Sequence, residues 1–268
     1  WGSMVSPNLI KDLSALLGSE NVMSAEADRI CYSYDGAVLP SKTPALVLRP
    51  TQTEQIGECV RLCYEAGLAI SVRGAGSNLS GGTVPDTTDS VVILTNGLQK
   101  ILEINKEDLY AVVQPGVVTA QFAAAVEKEG LFYPPDPGSM SVSTLAGNIC
   151  ENAGGLRGLK YGVTKDYVMG LEFYDCEGNF VKTGSRTVKC VTGFNLAGLM
   201  VGSEGTMGVI SKAILKLVPP PRASRAITAE FADINDASEA VATMIAAHVV
   251  PCTLELLDQA TWKYVEAD

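Results

Sequence analysis

Short apolar runs alternate with amphipathic stretches along the first half of the chain. Each run consists of aliphatic and β-branched residues between turn residues, a pattern typical of buried strands. These predicted strands cover residues 45–48, 69–72, 90–94, 101–104 and 110–113. Between them, apolar residues at helical spacing predict helices that begin after Ser6, Thr51 and Thr119, each of which is the expected N-cap. This order predicts an α+β or α/β domain.

The second half of the chain continues the alternation of short elements. Glycine, asparagine and proline separate each apolar run from the next. The predicted elements are a helix over 144–150 with Ser143 as its N-cap, a hairpin of strands over 168–174 and 180–183, a helix near 195–200 and a strand over 209–218.

A proline-rich segment, residues 218–224, is the best candidate for a domain boundary. Its three consecutive prolines fix φ and make the backbone a stiff spacer. We therefore expect one domain over residues 4–221 and the start of a second, α+β domain over residues 222–268. The elements predicted in the second segment are strands at 226–231 and 252–257, a helix between them capped by Asp236, and a last helix from Gln259.

Charge and cysteine usage exclude several classes of function. The formal net charge of −10 argues against nucleic acid as a partner, since the overall field would repel it. No apolar run has the length of a membrane span, and the N-terminus, where Trp1-Gly2-Ser3 is typical of an expression-tag remnant, has no basic and apolar leader. Seven cysteines without a C-x-x-C pair indicate reduced thiols, so we expect a cytoplasmic protein.

Few residues are candidates for catalysis or metal binding. Cys59 and Cys63 lie one helical turn apart, but they also fit the apolar stripe of a helix, and we expect them in the core. The single histidine, His248, lies among apolar residues. Glu204 lies in a glycine-rich turn, where fixing the backbone is a better explanation than acid catalysis. We assign no metal ligand and no catalytic residue.

Residues 73–82, with the sequence RGAGSNLSGG, follow a predicted strand and contain four glycines. A strand that continues into small residues can bring its backbone against a ligand and direct several N–H groups at one anion. The two common phosphate motifs do not fit. A dinucleotide fingerprint needs glycine where Leu79 stands, and an NTPase loop needs lysine where Gly82 stands. The glycines alone support a plain turn and a cofactor loop about equally.

A second stretch of small residues lies between positions 134 and 155. The prolines in PPDPGS make its beginning stiff and extended. Gly147 lies inside the predicted helix, where glycine costs about 1 kcal/mol relative to alanine, which makes sense if something must approach that helix closely. The N-terminus of this helix, beside the backbone of residues 152–155, favours phosphate. Two anion-binding surfaces suit a diphosphate better than a single phosphate.

Three motifs, in this order, resemble those of the FAD-linked oxidases of the vanillyl-alcohol oxidase and p-cresol methylhydroxylase superfamily. The resemblance is strongest to the D-lactate dehydrogenase and glycolate oxidase large-subunit branch. The motifs are RGAGSNLSGG at 73–82, PPDPGSMSVSTLAGN at 134–148 running into ENAGGLRGLKYGVTKDYV at 151–168, and GSEGTMGVI at 202–210. Nearly all of residues 44–221 is covered. The resemblance implies a two-lobed α+β FAD-binding domain of the p-cresol methylhydroxylase type, not a Rossmann fold, followed by the start of an α+β cap domain.

The resemblance also implies which residues bind the cofactor. In the family, the first motif surrounds the FAD diphosphate, the second meets the flavin and diphosphate, and the third lies near the adenosine half. The expected cofactor-binding residues are Arg73, Gly74, Ala75, Gly76, Ser77, Asn78, Ser80, Gly81, Gly82, Pro137, Gly138, Ser139, Ser143, Thr144, Gly147, Asn148, Ala153, Gly154, Gly155, Tyr161, Gly205, Val209 and Ile210. Some relatives attach FAD through a histidine in the first loop. Ser77 and Asn78 stand in that region here, so we expect non-covalent FAD.

The activity implied is that of a D-2-hydroxy acid dehydrogenase of the D-lactate or glycolate type. Such enzymes oxidise the substrate to a 2-oxo acid by hydride transfer to flavin N5 and pass the electrons to an acceptor protein or a quinone. Longer relatives carry the metal site and the proposed base in their C-terminal cap, so we expect this chain to bind FAD but to be catalytically incomplete.

Two alternatives to this activity stay open. One is another FAD oxidoreductase of the superfamily, such as a cell-wall nucleotide-sugar reductase or an alkyl-glycerone-phosphate synthase relative. The other is a non-catalytic flavin-binding module that transfers electrons.

Overall fold

The N-terminal part of the chain builds one β-sheet and the central part builds another. The computed structural model describes residues 5–266. Residues 1–4, which include Trp1-Gly2-Ser3 and the expected first residue of the first domain, lie outside the described residues, as do residues 267–268.

Four strands form the first sheet, in the order β1-β2-β4-β3. They are β1 (Val22–Met23), β2 (Leu46–Leu48), β3 (Ala69–Arg73) and β4 (Ser90–Leu94). Strands β2, β4 and β3 run parallel, and helix α3 (Glu54–Glu65) is the crossover between β2 and β3. Because β4 lies between them, β3 is at the sheet edge, and three of its residues are only half-buried. The prediction of a buried strand there is therefore wrong in burial and right in position.

Helices α1 (Pro7–Leu17) and α2 (Glu26–Arg29) precede α3 in this lobe. The cap of α1 is confirmed, since the Ser6 hydroxyl accepts from the Leu9 N–H at 3.1 Å. The cap predicted for α3 is wrong. This helix begins three residues after Thr51, and the Gln55 side chain instead accepts from the Thr51 N–H at 2.9 Å. The lobe's core includes the fully buried side chains of Leu13, Ile56, Cys59, Cys63, Val91 and Ile93, which confirms both cysteines as core residues.

Five strands form the second sheet, in the order β5-β6-β9-β7-β8, and every neighbouring pair is antiparallel. They are β5 (Ile101–Asn105), β6 (Tyr110–Val113), β7 (Val168–Tyr174), β8 (Phe180–Gly184) and β9 (Val209–Lys216). The helices of this lobe are α4 (Thr119–Lys128), α5 (Leu145–Glu151), α6 (Gly158–Tyr161) and α7 (Leu196–Met200). Its core includes Phe122, Val126, Leu145, Ile149, Leu171 and Leu215. The predicted α+β class is confirmed.

Two caps predicted in this lobe are wrong, for one shared reason. Thr119 is the first residue of α4 and not its cap, and the N-cap of α5 is Thr144 and not Ser143. The Thr119 and Ser143 hydroxyls lie 2.9 Å apart in a buried hydrogen bond that joins the two helix starts. Each hydroxyl is therefore engaged by a tertiary contact, whereas Thr144 Oγ1 accepts from the Gly147 N–H at 3.3 Å.

Residues 222–266 contain two helices, α8 (Ile234–Ala246) and α9 (Gln259–Glu266), which begin near the predicted positions. The N-cap of α8 is Asp233 and not Asp236. The strands predicted at 226–231 and 252–257 are absent from this described segment. A strand needs a neighbour for its backbone hydrogen bonds, and none of the nine described strands lies beside either run.

Across residues 5–266, no helix has the length and apolar character needed to cross a membrane.

Candidate cofactor-binding site

A cavity of about 370 Å³ lies where the end of β3, the flank of α5 and the loop before β9 come together. Its volume is within the range of small-molecule sites. Most of the lining comes from three separate stretches, within residues 72–83, within residues 139–154, and Glu204 with Gly205 and Ile210, and Thr95 completes it. The three motifs of the sequence thus meet around one space, although long stretches of chain separate them.

The loop after β3 has backbone donors available for an anion. Within the part of the chain that the structure describes, the N–H groups of residues 74–78 have no protein acceptor. The amides of Gly81 and Gly82 differ, because both donate to the Asn78 side-chain oxygen, at 2.9 and 3.1 Å. Asn78 therefore folds the second half of the loop back on itself. The first half is the part that can receive a phosphate.

Helix α5 does not offer its N-terminus to the cavity, and the predicted phosphate site there is wrong. The Leu145 N–H donates to the Val117 carbonyl at 2.9 Å, and the Ala146 N–H donates to the Pro115 carbonyl at 3.1 Å. The Thr144 cap takes the next amide. With these donors occupied by the protein itself, α5 contributes its flank, where Gly147 leaves the cavity open.

Two carboxylates that the sequence did not single out as ligands reach the cavity. Glu151 lies on α5, and its two oxygens accept from the Ser80 hydroxyl at 3.0 and 3.1 Å. Burial raises the pKa of the Glu151 carboxyl, and the negative charge of Glu204 adds to the rise, whereas the Ser80 hydroxyl opposes it. Glu204 lines the same wall and has a φ of 52°, uncommon for a residue with a side chain. Carboxylates in this position can accept hydrogen bonds from hydroxyl groups of a ligand.

Most residues expected to bind the cofactor line the cavity. They are Gly74, Ala75, Gly76, Ser77, Asn78, Gly82, Ser139, Ser143, Thr144, Gly147, Asn148, Ala153, Gly154, Gly205 and Ile210. The others are not part of this lining. They are Arg73, Ser80, Gly81, Pro137, Gly138, Gly155, Tyr161 and Val209. Of these, Tyr161 packs edge-on against Phe132 with ring centroids 5.6 Å apart, and Val209 is buried in the core of the first lobe.

Sequence reasoning missed several residues of the lining. They are Val72, Leu79, Thr83, Thr95, Ala146, Cys150, Glu151, Asn152 and, as a cavity residue, Glu204. Most of them lie within or next to one of the three motifs in sequence, and this proximity could have predicted them. Thr95 is different, because it reaches the cavity only through the pairing of β4 with β3.

A loop of unpaired amides beside a glycine-opened cavity defines a site for a phosphate-bearing cofactor. Residues 44–184 match the family model for the FAD binding domain, and residues 220–268 match the model for the C-terminal domain of FAD-linked oxidases. The first match covers more than half of the chain. The chain therefore belongs to the FAD-linked oxidase family and carries its FAD-binding domain, which confirms FAD as the cofactor.

Individual relatives agree with this assignment. The chain is 45% identical to the glycolate oxidase subunit GlcD of Bacillus subtilis (strain 168) over 98% of its length and 56% of the relative. It is 32% identical to the D-lactate dehydrogenase of Anaerostipes hadrus over 95% of its length and 53% of the relative. It thus spans about half the length of these relatives.

A solved structure of p-cresol methylhydroxylase with substrate bound superposes with a TM-score of 0.76 at 22% identity, over 88% of this chain and 48% of that one. This likeness confirms the p-cresol methylhydroxylase type of fold.

Proposed function

We propose that the chain is the FAD-binding part of a flavin-dependent D-2-hydroxy acid dehydrogenase of the D-lactate or glycolate type. The unpaired amides of residues 74–78 at the cavity are the observation that carries the cofactor site. The similarity to a glycolate oxidase subunit and to a D-lactate dehydrogenase supports the substrate class.

The residues of the cavity fit the parts of FAD. The amides of residues 74–78 would hold the diphosphate, and the small residues Gly147 and Gly154 would let the ring system approach the backbone. Glu151 and Glu204 would accept hydrogen bonds from sugar or ribityl hydroxyls. When bound, FAD supplies the two-electron acceptor for oxidation of a CH–OH group to a carbonyl, and the chain supplies binding and orientation.

The proposal includes non-covalent attachment. The only histidine, His248, is an exposed residue after α8 and does not line the cavity. The proposal sets the domain boundary between residues 221 and 222. The base that deprotonates the substrate is not assigned to any residue of this chain. The electrons pass from the flavin to an acceptor protein or a quinone. The seven free cysteines favour the proposed cytoplasmic location.

Reconstitution with FAD tests the cofactor site. The purified chain, incubated with FAD and passed through a desalting column, should keep the visible absorbance of flavin. Acid precipitation should then release all flavin into the supernatant. Protein that stays colourless would refute the site, and flavin that precipitates with the protein would refute non-covalent binding.

Anaerobic reduction tests the substrate class. A longer protein that includes the remainder of the C-terminal domain should lose its flavin absorbance with D-lactate or glycolate and keep it with L-lactate as the control. If FAD binds and no 2-hydroxy acid reduces it, the alternative of a non-catalytic electron-transfer module is favoured.

A further inference from the structure

A segment of the N-terminal region, residues 32–37, is hydrogen-bonded to the glycine-rich loop, residues 73–83. It precedes residues 44–184, the part that matches the FAD-binding family model. The Gly36 N–H donates to the Gly76 carbonyl at 3.1 Å, which ties the segment to the middle of the loop. A side chain on Gly36 would come within 2.6 Å of the Asn78 carbonyl, so the two backbones are in close contact.

Asp35 ties the same segment to the far end of the loop. One of its carboxylate oxygens accepts from the Thr83 hydroxyl at 3.1 Å and from the Thr83 N–H at 3.4 Å. The other oxygen accepts from the Ala37 N–H at 2.8 Å, which fixes the carboxylate in its own turn. Asp35 therefore links residue 83 to the segment. It is not among the residues that line the cavity.

Arg73 is the last residue of β3, and its side chain packs against the loop that follows. Its side chain is buried, with the residue only 8% exposed, and Nη1 donates to the Tyr34 carbonyl at 2.6 Å. A Cβ atom on Gly76 would lie 2.3 Å from Arg73 Nη2, so the guanidinium is packed against the turn of the loop. Like Asp35, Arg73 does not line the cavity.

The positive charge of Arg73 has no direct counter-ion among residues 5–266. Within the described part of the chain, none of the ion pairs shorter than 4.0 Å involves Arg73. Burial lowers the pKa of Arg73, and the charge of Asp35 opposes that effect. A buried cation without an ion pair is costly, and an anion bound to the amides of residues 74–78 would balance it at short range.

We propose that Arg73 and Asp35 are positioning residues for the FAD diphosphate. They hold residues 74–83 in shape from outside the cavity, and Arg73 also supplies a buried positive charge that acts through the loop without touching the cofactor. This inference rests on the proposed binding of FAD at the loop. It assigns Arg73 a different role from direct cofactor contact, and it adds Asp35, which lies outside the three motifs.

Arg73 is tested by removing and restoring its charge. The FAD dissociation constant of the 268-residue chain is measured at low and high salt for Arg73→Gln and Arg73→Lys. Arg73→Gln should weaken FAD binding about 10-fold or more, and the loss should persist at high salt because ions screen a buried charge only weakly. Arg73→Lys should recover most of the affinity. Arg29→Gln is the matched control, because Arg29 also donates to backbone carbonyls in this lobe but does not contact the loop.

Asp35→Asn separates positioning from charge. Removing a negative charge near the site would strengthen binding of an anion if charge alone mattered. The positioning role predicts the opposite, a loss of about 10-fold in FAD affinity. Asparagine has one acceptor oxygen where Asp35 uses two, so it cannot accept from both Ala37 and Thr83. Asp35→Asn keeps the side-chain size, so it also serves if Arg73→Gln fails to fold.

The outcomes distinguish this inference from the proposed function. Wild-type chain that binds no FAD refutes the proposed function, and this inference with it. Wild-type chain that binds FAD, together with unchanged affinity in Arg73→Gln, overturns the role of Arg73. Equal or tighter binding in Asp35→Asn overturns the positioning role, and a loss in Arg73→Lys as large as that in Arg73→Gln overturns the role of the Arg73 charge.

Discussion

Gly74 and Thr144 are in contact at the point where the two lobes meet. A Cβ atom on Gly74 would lie 2.2 Å from Thr144 Oγ1, a distance that no side chain can tolerate. Gly74 follows β3 in the first lobe, and Thr144 is the N-cap of α5 in the second. Only a residue without a side chain lets the loop come this close to the helix.

Gly74→Ala should therefore separate the two walls of the cavity. Overpacking of this kind costs about 1–3 kcal/mol of stability, and FAD affinity should fall with it because the loop is displaced. Thermal unfolding and FAD titration measure both effects. Gly158→Ala on α6 is the matched control, since a Cβ there would meet no atom within 4 Å and Gly158 is not among the expected cofactor-binding residues.

A double variant identifies the cause. Thr144→Ala removes the hydroxyl but also costs about 1 kcal/mol as a lost helix cap. If the clash is the cause, the combined loss in Gly74→Ala/Thr144→Ala is smaller than the sum of the single losses. Additive losses would contradict the contact.

Gly147→Val should block the cavity while the fold persists. Gly147 lines the cavity, and a Cβ there meets only Thr144 Oγ1, at 3.1 Å, so the added side chain extends into the space. We expect FAD affinity to fall about 10-fold or more, because the valine side chain would occupy space that the cofactor needs. Gly158→Val on α6 is the control, and its FAD affinity should match that of the wild type. Equal affinity in Gly147→Val would remove α5 from the site.

Glu151→Gln should make stability less dependent on pH. Burial raises the pKa of the Glu151 carboxyl above its ordinary value of 4.5, and the charges of Glu204 and Asp35 contribute. The folded chain therefore holds this proton more tightly than the unfolded chain does. The stabilising contribution is complete below pH 4.5 and is lost as the pH rises through the folded-state pKa.

Thermal midpoints of the FAD-free chain between about pH 4 and pH 7 test this expectation. Relative to the wild type, Glu151→Gln should gain stability as the pH rises. The exposed Glu127 on α4, which does not line the cavity, provides a matched Glu→Gln control. A difference between Glu151→Gln and the wild type that stays constant with pH would contradict the predicted titration.

Thiol reactivity should divide the seven cysteines into two classes. Cys31, Cys176, Cys190 and Cys252 are exposed and should react promptly with a chromogenic disulfide reagent near pH 8. Burial raises the pKa of Cys63 to about 12 and that of Cys150 to about 11, and it raises the pKa of Cys59 as well. These three thiols should react only slowly until the chain unfolds.

Bound FAD should further slow the reaction of the Cys150 thiol with the reagent. Cys150 lines the cavity, whereas Cys59 and Cys63 lie in the core of the first lobe. The difference between free and FAD-bound protein should disappear in Cys150→Ser. If it persists in that variant, the protected thiol is elsewhere.

Local sequence patterns were sufficient for most of the elements. The strands predicted over 45–48, 90–94, 101–104 and 110–113 correspond to β2, β4, β5 and β6. Each is a compact apolar run between turn residues, so nearby residues alone specify it. The same holds for the glycine-rich loop. Four glycines leave the loop backbone accessible, and this does not depend on the position of the strand in the sheet.

Helix caps and hydrogen-bond partners depended on contacts between distant residues. Thr119 and Ser143 are good capping residues by type, but their hydroxyls bond to each other across two helices. The runs at 226–231 and 252–257 have strand composition, yet neither has a strand beside it in residues 5–266. A hydrogen-bonding group takes the partner that the packed structure brings near, and local sequence does not contain that partner.

The division is clearest at the site. Sequence alone determined that two stretches of small residues exist, which residue types they offer, and that neither common phosphate motif is present. Only the tertiary structure decided which amides are available, because the Val117 and Pro115 carbonyls accept from the first N–H groups of α5, while those of residues 74–78 have no acceptor among the described residues. It also placed Asp35 and Arg73 behind the loop, since a buried charge acts on whatever the fold packs against it.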